Sequence, residues 1–186
     1  MQAILDLYRA SFAELKKVKS VTLTAMLMAL SVILGYFTIE AGPYLKIGFS
    51  TLVNQFVCFL FGPVVGIIYN GLLDILKYMV KPTGPFFPGF TLNAMLAGLI
   101  YGTILYRKKL SFGRVLCAEF LVCFICNVIL NTWMLSFLYG KGFMVLLPAR
   151  LLKNAIQCPV NAILFYLIVS RLEKTGILKD LRKVQA

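Results

Sequence analysis

Five stretches of this chain, residues 20–39, 47–73, 82–106, 120–140 and 154–170, contain no Asp, Glu, Lys or Arg. A helix needs about 20 apolar residues to cross the hydrocarbon of a bilayer. Inside that hydrocarbon every backbone N–H and C=O must be bonded within the protein, which selects helices for runs of this length. The composition agrees: 60% of the residues are hydrophobic and 14% charged, where a soluble domain carries about 25% charged residues. The chain therefore reads as an all-α, polytopic membrane protein.

Five windows predict six spans, because the second contains Gly62-Pro63, a pair that ends one helix and lets another begin. Charge bias supports the split. Residues 1–19 hold Arg9, Lys16, Lys17 and Lys19; residues 107–114 hold Arg107, Lys108, Lys109 and Arg114; residues 171–186 hold Arg171, Lys174, Lys179, Arg182 and Lys183. Six spans put all three clusters on one side, which the positive-inside rule makes cytoplasmic, together with both termini. Lys46, Lys77, Lys81, Lys141, Arg150 and Lys153 then face outward. The domain reading is an amphipathic segment over 1–19, a six-helix transmembrane domain over 20–173 and a basic cytoplasmic tail over 174–186. Residues 1–19 carry no cleavable-signal pattern. They space Ile4, Leu5, Tyr8, Phe12 and Leu15 at helical intervals, which predicts a helix lying on the inner membrane surface.

The net charge of +12 is then explained by topology and anionic-lipid attraction, not by nucleic-acid binding. Cys58, Cys117, Cys123, Cys126 and Cys158 lie in or beside apolar spans and read as packing thiols. Cys123 and Cys126 have redox-motif spacing without a βαβ context. No phosphate-cradling, metal-cluster or nucleophile motif occurs, so neither an enzyme nor a cofactor is expected.

The informative residues are polar ones inside spans, since these mark a pathway or a site. In the last span, read over residues 147–167, Arg150, Lys153, Asn154, Gln157 and Asn161 share one arc of roughly 100° at a helical advance of ~100° per residue. Pro148 suits a first helical position, which places Arg150 and Lys153 in the first two turns. Cations there oppose the helix dipole unless an anion binds between them. Snorkelling to the outer interface explains both cations but leaves the three amides unexplained. Glu119, Cys123, Asn127 and Asn131 recur every fourth residue in the fifth span, with Trp133 just beyond as an interfacial anchor or a cavity wall. In the third span Asp74 and Lys77 suit either a structural ion pair or ligand contacts, with Tyr78 and Lys81 on the same side.

The segment Lys81-Pro-Thr-Gly-Pro-Phe-Phe-Pro-Gly-Phe90 is stiffened by proline and rich in aromatic rings. It suits either a plain connector or an ordered cover for a flat ligand, with Phe87, Phe90 and, from the preceding outer loop, Tyr44 as ring contacts. Asn54, Asn93, Asn131, Asn154 and Gln157 supply amides that both donate and accept, and Arg150 and Lys153 supply positive charge. That inventory fits a ligand with an amide-like heterocycle at one end and carboxylates at the other. With no His and with Asp74 the only Asp between residues 18 and 170, a proton relay is poorly supplied. Uphill import would need an energising partner.

Gly84-Pro-Phe-Phe-Pro-Gly-Phe-Thr91, Ala97-Gly-Leu-Ile-Tyr-Gly102 and Leu146-Leu-Pro-Ala-Arg-Leu-Leu-Lys-Asn154 followed by Gln157-Cys-Pro-Val-Asn161 resemble the S components of energy-coupling factor (ECF) vitamin transporters, in their folate-specific branch. The resemblance spans about residues 18–173. It implies a six-helix subunit of a prokaryotic plasma membrane that captures folate outside and works with a T component and two ABC ATPases. It also implies a small-residue face on the first span, matched by Ala25 and Ala29, for docking on the T component, and import by tipping of the loaded subunit. An S component for thiamine or riboflavin would have less use for two cations at the mouth. Outside the family, a secondary carrier would need a relay, and a lipid-headgroup transferase would need clustered Asp residues.

Overall fold

The computed structural model of the chain describes residues 2–36, 38–40, 46–48, 50–81, 85–140 and 143–176. Two helices open it, α1 (Gln2–Glu14) and α2 (Val18–Tyr36). Strands β1 (Thr38–Glu40) and β2 (Lys46–Gly48) then pair antiparallel, with Ile39 opposite Ile47. This three-residue ladder is the one departure, among the described residues, from an all-helical chain. The helices α3 (Ser50–Val80), α4 (Pro88–Leu105) and α5 (Phe112–Leu121) follow. α5 runs through a π-helical stretch, Val122–Leu130, into α6 (Asn131–Tyr139), and α7 (Phe143–Lys174) ends the bundle. Five helical stretches are long and apolar enough to cross a membrane: Val18–Gly35, Ser50–Val80, Pro88–Leu105, Phe112–Leu138 and Arg150–Lys174.

α3 is a hairpin. A straight helix would hold Cys58 and Asn70, 12 residues apart, about 18 Å from each other, yet Asn70 Nδ2 lies 3.5 Å from Cys58 Sγ. Tyr69 Oη donates to Asn54 Oδ1 at 3.4 Å, and Lys77 Nζ donates to Ser50 Oγ. The chain reverses at Gly62, whose φ of 87° and ψ of −170° belong to glycine alone. Pro63 starts the second arm, where its missing N–H costs nothing. The orphan groups at the bend are met by Ser11 of α1: its Oγ donates to Phe61 O at 2.7 Å and accepts from the Val64 and Val65 N–H groups at 3.0 and 3.3 Å. A Cβ on Gly62 would lie 2.8 Å from both Ser11 Oγ and Tyr106 Cδ1. α1, the α3 bend and the end of α4 therefore meet at one end of the bundle.

The second arm of α3 packs on α4 backbone to backbone. A Cβ on Gly98 would stand 2.4 Å from Gly66 O, and one on Gly102 would stand 2.4 Å from Pro63 Cα. Small residues four apart let membrane helices approach this closely, which compensates for the weak hydrophobic drive in lipid. Around this pair lies the core of Val57, Phe61, Tyr69, Leu73, Phe165 and Val169. Within it sits Glu119, 1% exposed, which accepts from Tyr101 Oη at 2.9 Å and from Gln55 Nε2. The spans thus hold a buried carboxylate besides Asp74.

Two further expectations are corrected. α7 begins at Phe143, so Pro148 lies inside the helix and Arg150 lies beyond the first turn; the dipole argument for an anion between Arg150 and Lys153 loses its footing. A proline near a helix start deletes only one interior hydrogen bond, and the apolar residues before it extend the helix backward. Asp74 and Lys77 also form no ion pair. Among the described residues the ion pair is Lys17–Glu14 at 3.6 Å, while Asp74 Oδ2 accepts from Thr91 Oγ1 at 2.8 Å. α1 turns Ser11 and Glu14 inward and leaves Leu5 and Phe12 more than half exposed.

Candidate functional site

At the end of the bundle away from the α3 bend, a cavity of about 630 Å³ opens between α2, the second arm of α3, α4 and the π-helical stretch with α6. This lies within the range of small-molecule sites, roughly 300–1,000 Å³. Each wall has a local cause. Phe87 precedes Pro88, which forces it into extended geometry (φ −131°, ψ 115°) and starts α4 with a proline at its first position. The Phe90 N–H bonds back to Phe87 O at 3.0 Å. The rings interlock: Phe87 meets Phe90 edge to face at 5.7 Å between centroids, and Tyr78 meets Phe86 at 5.1 Å. These four rings, with Pro85, make the aromatic side of the cavity.

The opposite side is polar. Asn93 donates through Nδ2 to Cys126 O at 3.0 Å, which leaves its Oδ1 buried without a partner. A buried polar atom in that condition calls for a ligand or water donor. Asn127 and Asn131 join it from the π-helical stretch and α6, where the Asn131 N–H bonds Cys126 O five residues back. The wider π turn keeps both amides on the cavity wall; π turns are frequent at functional sites for such reasons. Charge comes from α3. Lys77, Lys81 and Asp74 line the cavity, with Asp74 accepting from Thr91 Oγ1 and Lys77 donating to Ser50 Oγ.

Of the residues singled out in the sequence, the cavity brings together Phe87, Phe90, Asn93 and Asn131. Arg150 stands behind it, its Nη1 donating to Asn127 O at 3.5 Å. Asn154 is buried and donates to Arg150 O at 3.0 Å within its own helix. Lys153 and Gln157 are partly exposed on α7 and are not among the lining residues. Asn54 accepts from Ser31 Oγ at 2.8 Å and from Tyr69, inside the bundle. Trp133 is 62% exposed and does not line the cavity. Tyr44 lies outside the described residues. Ala25 and Ala29 are on the exposed side of α2. Lys77, left open in the sequence between a structural pair and a ligand contact, also lines the cavity with Tyr78 and Lys81 from the same side of the span, and so does Phe86, which the sequence did not single out. Asn127, which stands on the fourth-residue stripe, lines it as well.

A helical membrane protein with a ligand-sized cavity of rings, amides and cations at one end is a membrane-embedded binder of small polar solutes. The chain matches the family model described as ECF transporter, substrate-specific component, over residues 19–169, and it belongs to that family. It is 36% identical over 162 residues to a folate transporter, FolT, of Clostridium novyi, covering 86% of this chain and 94% of that protein. It is 30% identical over 154 residues to FolT of Leuconostoc mesenteroides, covering 80% and 83%. Its fold matches a crystal structure of FolT bound with folic acid at a TM-score of 0.75 and 34% identity, over 83% of this chain and 94% of that one.

Proposed function

We propose that this chain is the folate-capturing S component of an ECF importer in a prokaryotic plasma membrane. It crosses the bilayer six times, the α3 hairpin supplying two spans, with both termini cytoplasmic and the cavity facing outward. An amphipathic segment at 1–19 and a basic tail at 174–186 flank the transmembrane unit at 20–173. The observation that carries the reading is the likeness to folic-acid-bound FolT, because the cavity has the chemistry that folate needs. Its rings suit the flat pterin and aminobenzoyl groups. Asn93 Oδ1 and the Asn131 amide suit the hydrogen-bonding edge of the pterin. Lys77 and Lys81 suit the two glutamate carboxylates. From α7, Arg150 holds the carbonyl of Asn127 and so positions that wall, with Lys153, Asn154 and Gln157 continuing the polar face behind it.

Capture and concentration are separate in this reading. Energy comes from a T component and two ATPases, and the exposed face of α2 at Ala25 and Ala29 is the docking surface for the former. The test is calorimetry on the purified chain with folate, thiamine and riboflavin. The expected result is one folate bound per chain, displaced by neither competitor. Preference for thiamine or riboflavin overturns the folate assignment, and gradient-driven folate accumulation in liposomes holding this chain alone overturns the S-component reading.

A further inference from the structure

A second concave site lies at the other end of the molecule, where α1 crosses the start of the second α3 arm. It is an open groove of about 480 Å³ walled by Tyr8, Arg9, Phe12, Ala13, Lys16 and Val64. Arg9 stands on α1 and Lys16 in the turn that follows it, held by its N–H bond to Ala13 O at 3.1 Å, and both side chains are exposed. The neighbouring Lys17 is paired with Glu14, whereas Lys16 rests over the Phe12 ring at 5.6 Å. Glu14 is thus turned to Lys17 and not to the groove. Below them the floor is apolar, and it continues: from Val64, Ile68 and Leu72 follow at four-residue steps along α3, 42% and 51% exposed.

We propose that this groove binds an anionic phospholipid, its phosphate between Arg9 and Lys16 and an acyl chain along Val64, Ile68 and Leu72. Two cations over an apolar floor that runs on as a membrane-facing track match a molecule with a phosphate and a chain. They do not match a free phosphate, which would use the first feature alone. The site has a structural consequence. Ser11, on the same helix, caps the α3 bend, so a lipid that clamps α1 to Val64 holds that cap in place. The proposal rests on the orientation given above only for which leaflet supplies the lipid, since binding in detergent is independent of topology.

Native mass spectrometry of the detergent-purified chain titrated with phosphatidylglycerol tests it. Wild type is expected to hold one tightly bound phosphatidylglycerol that neither phosphatidylcholine nor inorganic phosphate displaces. The pair Arg9→Gln and Lys16→Gln is expected to lower that occupancy about tenfold, as the loss of charge-assisted bonds to phosphate implies. Ala13→Phe, which fills the groove and leaves its charges, is expected to do the same. Lys108→Gln with Lys109→Gln, basic residues outside the groove, is expected to leave it unchanged. Retention of lipid by the Ala13 variant, equal loss in the Lys108/Lys109 variant, or displacement by inorganic phosphate would each overturn the site. Folate binding by all these variants, checked alongside, separates failure of this site from failure of the folate reading.

Discussion

Replacing Lys77 by Gln removes the charge that α3 carries into the cavity while keeping a side chain able to reach Ser50. In the free protein the loss is small. Lys77 donates to Ser50 Oγ, which a glutamine amide also does, and Lys77 and Asp74 form no hydrogen-bonded ion pair, Asp74 accepting from Thr91. In the complex the loss is a charge-assisted bond to a glutamate carboxylate, about 1.5–3 kcal/mol, or about 10- to 150-fold in Kd. Pteroate, which is folate without its glutamate, separates this from general damage to the cavity. The wild-type protein should bind folate more tightly than pteroate, and Lys77→Gln should lose most of that preference while binding pteroate almost as before. Titration calorimetry with both ligands on both proteins gives the four affinities needed. An equal loss for folate and pteroate would mean that Lys77 supports the fold of the cavity. No loss for either would mean that the carboxylates bind elsewhere, with Arg150 and Lys153 the next residues to substitute.

Asn93→Ala should weaken folate binding about fivefold to tenfold, the worth of a neutral hydrogen bond to its unpartnered Oδ1; unchanged affinity in calorimetry would show that the ligand ignores that oxygen. Trp133→Ala should leave folate affinity within about twofold, since surface changes away from a site have small effects, and a large loss would bring α6's outer face into the binding reaction. Gly62→Ala should lower stability by about 1–3 kcal/mol from backbone strain alone and by more through displaced Ser11, read as a melting temperature several degrees lower; a wild-type melting curve would refute the strained bend. Ala29→Trp should keep folate binding and abolish co-purification with the T component, and loss of folate binding by the folded single subunit would assign α2 to capture.

Charge-free windows and one Gly-Pro pair carry most of the fold because the bilayer leaves little choice of secondary structure. Gly62-Pro63 marks the α3 reversal for local reasons that any reader of the chain can apply: no other residue takes that φ and ψ, and proline cannot continue the first helix. Gly98 and Gly102 carried an equally local signal for close packing through their four-residue spacing. The start of α7 was less legible. Pro148 is acceptable both at a first position and, at the loss of one bond, within the next turn, so its own chemistry does not choose between the two. The π-helical stretch has no such mark, since Val122–Leu130 contains neither glycine nor proline.

The site was legible in its residue types more than in its membership. A polar stripe on one helix tells which side faces protein, not which protein. The face of α7 with Arg150 and Asn154 does look inward, but it meets the backbone of the π-helical stretch and its own helix before it meets a cavity. Asn54, offered by the sequence as an amide that both donates and accepts, is consumed by Ser31 and Tyr69 in the bundle. For Lys77 the sequence leaves open a structural pair with Asp74, three residues before it, and a ligand contact. In the structure Asp74 accepts from Thr91 on α4 and Lys77 donates to Ser50 on the first arm of α3, tertiary contacts with no signature in the local spacing of charges. The partner each charged side chain takes is thus set by how the helices pack, not by its neighbours along α3.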